Sequence, residues 1–163
     1  MDVCVSSFIS AYTAADEARI AFRWVKLDSE ELTDPNYDFR AEVAAVLLAG
    51  ELKGPDELVR DIFLAEASLC KAVWAAGQQL TDLGTLLLAQ TGAKYLDAFF
   101  EGKEQSFDTD CCVVCDNVPS HTLQRIVNEL KQKQSSDDLQ SKIFLDYFQD
   151  QLERAANENS ADA

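Results

Sequence analysis

Three of the chain's five cysteines and its single histidine fall in one short stretch, DTDCCVVCDNVPSH, positions 108–121. Cys112 and Cys115 form a CxxC, a spacing at which two thiolates can share one metal ion. Cys111 and His121 would complete a set of four donors. A zinc-binding regulatory or adaptor domain on Cys111, Cys112, Cys115 and His121 is therefore one reading. Against it, structural zinc sites draw their ligands from two separated segments. Adjacent Cys111 and Cys112 would also have to point the same way. Redox chemistry fits less well. Asp108, Asp110 and Asp116 surround the thiols, and nearby negative charge disfavours the thiolate. The remaining reading is packing: Cys-Val-Val-Cys is an apolar run, and free cysteine is among the most buried residue types. The expectation is packing, with no metal and no cofactor.

Other catalytic patterns are missing. The glycines at 50, 54, 77, 84, 92 and 102 stand alone, so no phosphate-cradling loop is present. Asp108-Thr109-Asp110 is a DxD that could hold Mg²⁺, but the pattern is common in solvated loops. One histidine supplies neither a triad with a family signature nor the paired Glu-x-x-His of a helical di-iron site. No enzyme is expected.

Charge is the strongest global feature. Twenty-nine acids against fourteen bases give −15, beyond the roughly 2–8 that suffices for solubility in a small domain. The excess is spread over both halves of the chain. Nucleic acid and anionic membranes would be repelled, so neither is an expected direct partner; a basic protein is. Two acidic concentrations are the candidate partner-binding residues. Asp146, Asp150 and Glu153 recur at i, i+4 and i+7, which places them on one helical face. Glu30, Glu31, Asp34 and Asp38 gather around a turn, flanked by Asp28 and Glu42.

The elements that must position these groups read as helices almost throughout. Apolar residues recur at helical spacing over 8–28, and Asp34-Pro35 reads as a cap opening a helix to about Leu52. Gly54-Pro55 opens a third helix ending near Gly77, and Thr81 caps a fourth that Gly92 ends. A short helix stops at Gly102, and Cys111 to Val114 is the one candidate strand. Ser120 caps the next helix, and the last runs from Asp137 to about Ala156. Trp24 and Trp74 fall in apolar stripes and are assigned to the core. The expectation is a single all-α domain over residues 1–156, of six to seven helices, with 157–163 a disordered tail. It is an irregular bundle or a short stack of helical hairpins. GPDELVRDIFLAEASL, residues 54–69, resembles the second helix of a HEAT-type repeat. No second copy follows at a fixed period.

No apolar run reaches the ~20 residues of a membrane span, and MDVCVSSFISAY lacks the basic start of a secretory signal. With an odd number of cysteines, a reduced, cytoplasmic setting is expected. The functional expectation is a non-enzymatic acidic protein-binding module. Its sharpest form is an inhibitor, such as a bacterial toxin-immunity protein or antitoxin, that occludes a basic partner's active site. The zinc domain and an α-solenoid interaction scaffold are the alternatives.

Overall fold

The computed structural model describes residues 4–26, 32–133 and 139–161. Among them are eight α-helices, two 3-10 turns and one two-stranded sheet, so the chain is all-α. None of these helices is long and apolar enough to cross a membrane.

The first segment departs from the continuous helix expected over 8–28. Helix α1 covers Val5–Ala11, and a 3-10 turn covers Ala14–Arg19. Thr13 and Asp16 form a reciprocal cap in which the Thr13 backbone N–H donates to Asp16 Oδ2 at 3.0 Å. Such caps compete with the helical ladder and end it locally. Strand β1 (Val25–Lys26) then pairs antiparallel with β2 (Leu32–Thr33), Val25 opposite Thr33. The aromatic and β-branched residues from Phe22 to Val25 suit extended backbone better than helix.

Helix α2 covers Tyr37–Leu48 and begins later than the Asp34-Pro35 cap implied. Asp34 instead makes a turn: its Oδ1 accepts from the Asn36 N–H and its carbonyl from the Tyr37 N–H, each at 3.1 Å. Helix α3 covers Asp56–Val73, with Asp56 and Glu57 in its first turn, where the helix dipole favours acids. It stops at Trp74, not Gly77, in a left-handed conformation at φ 53°. Helix α4 (Gln78–Thr91) starts before Thr81, whose hydroxyl donates to the Cys112 carbonyl at 2.6 Å instead of capping. Gly92, at φ +58°, ends α4 and leads through a 3-10 turn into α5 (Leu96–Lys103).

The expected strand at Cys111–Val114 is replaced by helix α6, Phe107–Cys112. Ser106 caps it: the Thr109 N–H donates to Ser106 Oγ, and the Ser106 N–H donates to Thr109 Oγ1. That exchange satisfies donors at the helix start, which outweighs the β preference of two valines further on. Helices α7 (Ser120–Lys133) and α8 (Leu139–Ala161) form an antiparallel pair across residues 134–138. Helix α8 continues past Ala156.

Helix α3 is the centre. It packs against α2, α4, α5 and α6, which is an irregular bundle and not a stack in which each repeat meets only its neighbours. Leu58, Val59, Ile62 and Phe63 of α3 are buried with Leu80, Leu83, Leu87 and Leu88 of α4 and Phe99 of α5. The assignment of both tryptophans to the core fails. Trp24 is 43% exposed and Trp74 85% exposed. The helical stripe containing Trp24 does not form, and α3 ends one residue before Trp74.

Candidate functional site

The cysteine segment is pulled inward by its apolar residues. Val113, Cys115 and Val118 are buried, and Lys103 Nζ crosses to donate to the carbonyls of Asp110 and Val113. Cys115 Sγ lies 3.8 Å from the Tyr147 hydroxyl on α8, and burial pushes its thiol up to about 11. Cys111 and His121 are exposed, and Cys112 is half-buried. Cys111, Cys112, Cys115 and His121 are thus not brought together. Among the described residues no group of three His, Cys, Asp or Glu side chains is placed to hold a metal ion.

The acidic candidates divide. Glu30 and Glu31 lie outside the described residues, as does Asp28. Asp38 is exposed in the first turn of α2. Asp34 is placed differently from Asp38. Its side chain is 3% exposed, and Oδ2 sits 2.8 Å from Arg40 Nη2, which is itself buried. A carboxylate already matched by a buried guanidinium is part of the fold's interior and not a free surface charge. Asp146, Asp150 and Glu153 are all exposed on α8. Asp150 holds Arg154 at 2.9 Å, one turn on; an exposed pair of this kind is worth about 0.3–0.5 kcal/mol.

The α8 row continues in the N-terminal direction as an apolar seam. Leu139, Ile143, Asp146, Asp150 and Glu153 step by four, three, four and three residues, which keeps them on one helical face. Leu139 is 72% exposed and Ile143 54%. Opposite them, Asp97 and Glu101 of α5 and Glu104, which caps its end, stand at i, i+4 and i+7, all exposed. Phe100 of α5 and Phe144 of α8 lie between these two lines. Together they line a groove of about 640 Å³ with an apolar floor and an acidic wall. The helices run in the same direction here: Gln140 Nε2 donates to Asp97 Oδ1 at 2.8 Å near the start of both, and Phe100 meets Tyr147 and Phe148 further along.

Helix α5 is held by Phe99, which stacks on Phe63 of α3 and is fully buried. That burial fixes which face of α5 turns outward and so presents Asp97, Glu101 and Glu104. The lower half of α8 is fixed by Phe144, Leu145 and Phe148, all buried. Comparison with protein families, with curated proteins and with solved structures gives no match.

Sequence reasoning missed the groove. Its signal was the i, i+4, i+7 spacing of Asp97, Glu101 and Glu104, the same pattern that singled out Asp146, Asp150 and Glu153. What the spacing could not show is that the two helices lie side by side.

Proposed function

We propose that this chain is an acidic protein-binding module that takes a basic amphipathic helix of its partner into the α5–α8 groove. The observation that carries the reading is the placement of three exposed acids, Asp97, Glu101 and Glu104, beside exposed Leu139 and Ile143 over the Phe100–Phe144 floor. Exposed large apolar residues in a groove rimmed by polar groups mark interaction sites. Helix-in-groove recognition reads apolar anchors at i, i+3, i+4 and i+7. Lysines or arginines on the partner's flanking face would meet the α5 acids on one side and Asp146, Asp150 and Glu153 beyond the apolar half.

The dimensions agree. From Leu139 to Glu153 the α8 seam rises about 21 Å at 1.5 Å per residue, enough for roughly four turns of a partner helix. Charge complementarity sets register and speeds association, while the apolar floor supplies most of the affinity. Inhibition of a basic toxin is the case in which the bound helix borders that partner's active site. Binding alone is the broader function, and no catalytic chemistry is part of it.

The test is binding of a helical lysine- and leucine-rich peptide by calorimetry in low and physiological salt. Leu139→Ser with Ile143→Ser should cut affinity at least tenfold. Each site is exposed, so stability should change by no more than about 0.5 kcal/mol per site. Reversal of Glu101 and Glu104 to lysine should weaken binding and flatten its salt dependence. Peptide affinity unmoved by both double variants would rule out this groove.

A further inference from the structure

A second cavity lies on another part of the molecule, between the β1–β2 hairpin, the start of α2 and the C-terminal part of α3. Trp24, Leu32, Tyr37 and Leu69 give it aromatic and aliphatic walls, and Asp34 and Asp38 give it carboxylates. Its volume is about 290 Å³, below the roughly 300–1,000 Å³ of sites for drug-sized ligands. It suits a single headgroup. Trp24 is steadied by an edge-to-face contact with Phe22, ring centroids 5.3 Å apart. Trp24, Leu32 and Tyr37 nonetheless leave about half of their surface in solvent, an arrangement that packing alone does not reward.

The charges around the cavity are unbalanced. Arg40 is 1% exposed, and it faces Asp34 Oδ2 at 2.8 Å and Glu66 Oε2 at 3.8 Å from its Nη2 and Nε. The nearer contact is a close ion pair and the farther one is beyond hydrogen-bond distance, so among the described residues Asp34 Oδ2 has the Arg40 charge beside it but no hydrogen-bond donor. Two carboxylates thus share one guanidinium, which also lies 5.9 Å from the Tyr37 ring centroid. Asp38 adds a further exposed negative charge. The start of α2 contributes about half a positive charge, which Asp38 more than offsets. The cavity is net negative with two aromatic rings at its mouth.

We propose that this cavity is a cation cage for a quaternary ammonium headgroup. Ring faces attract cations by their quadrupole, by about 2 kcal/mol or more where water is displaced. A trimethylammonium group sheds water more readily than a primary ammonium, so it gains more from aromatic walls and needs no directed donor to Asp38. The headgroup can come from a trimethylated lysine on a protein or from a free choline-like molecule. The cage does not depend on the α5–α8 groove.

The experiment titrates ¹⁵N-labelled protein with three probes: choline, free trimethyllysine, and short peptides carrying lysine or trimethyllysine. Saturable binding is expected, with the largest shifts at the Trp24 indole N–H. Trimethyllysine should bind at least fivefold more tightly than lysine in the same peptide. Trp24→Ala should lower affinity at least tenfold, and Asp38→Asn severalfold. Both positions are exposed, and the unchanged spectrum of remote residues checks the fold. A peptide binding more tightly than the free amino acid marks a protein source, and equal affinity of choline marks a free ligand. Absence of saturation, equal affinity for lysine and trimethyllysine, or indifference to Trp24→Ala overturns the cage.

Discussion

The Phe100 and Phe144 rings stack parallel, their centroids 4.5 Å apart and their planes 3° from coplanar orientation. One pair of side chains therefore both joins α5 to α8 and floors the groove between them. Phe144 is nearly buried, so Phe144→Ala removes transfer energy and leaves a void. The expected loss is about 3–5 kcal/mol, read by urea unfolding. Phe144→Leu should cost less and retain peptide binding in part. A loss under about 1 kcal/mol for the alanine variant would show that α8 is held in place by other contacts.

Gly102 lies inside α5 against the Phe63 ring. A Cβ there would sit 2.7 Å from Phe63 Cζ and meet Cε1 more closely still. Phe63 is fully buried and stacks on Phe99, so it has no room to withdraw. Gly102→Ala would gain up to about 1 kcal/mol of helix propensity, and overpacking costs typically 1–3 kcal/mol. The expected outcome is net destabilisation in thermal unfolding. A stabilised variant would mean that the ring shifts freely.

Glu66 gives a pH signature. Burial raises its carboxyl above the ordinary glutamate value of 4.5, and the charge of Asp34 adds to this, while Arg40 opposes it. A raised folded value means that the folded state holds the proton more tightly. Its stabilising contribution is complete below 4.5 and is lost as the pH rises through the folded value. Glu66→Gln should therefore match the parent near pH 4 and gain on it progressively toward pH 7. Unfolding midpoints across that range test it. A constant difference at all pH values would contradict the assignment.

The thiols should react in two classes. Cys4 and Cys111 are exposed, and the backbone N–H groups of Ser7 and Ser6 hold the Cys4 thiol below its ordinary value. Cys70 and Cys115 are buried, and burial pushes each up to about 11. The thiolate is the nucleophile. Native protein at pH 8 should show fast labelling at Cys4 and Cys111, with Cys70 and Cys115 labelled after unfolding. Cys4→Ser should remove the fastest phase. Rapid labelling of Cys115 in folded protein would show that its loop opens.

Part of this was legible beforehand. Gly92 ends α4 because a glycine accepts its positive φ, and Asp56 and Glu57 open α3 because acids suit a helix start; both are local rules. The Asp146, Asp150 and Glu153 row followed from helical spacing alone. The 3-10 turn after Thr13 and the helix at Phe107–Cys112 were not read, because each depends on a reciprocal side-chain cap that competes with the periodic pattern. The contact between Asp34 and Arg40 was not legible, because sequence cannot show that Arg40 is buried beside it.

Composition and period by themselves determined an acidic, helical chain, since these follow from residue type and from contacts within a few positions. Tertiary packing decided which acids are surface charges and which are interior, and it left Trp24 and Trp74 in solvent. It also brought the α5 acids beside Leu139 and Ile143, some forty residues away in the chain. That juxtaposition arises because Phe99, Phe100, Phe144 and Phe148 must be buried together, a demand of shape that no local spacing encodes.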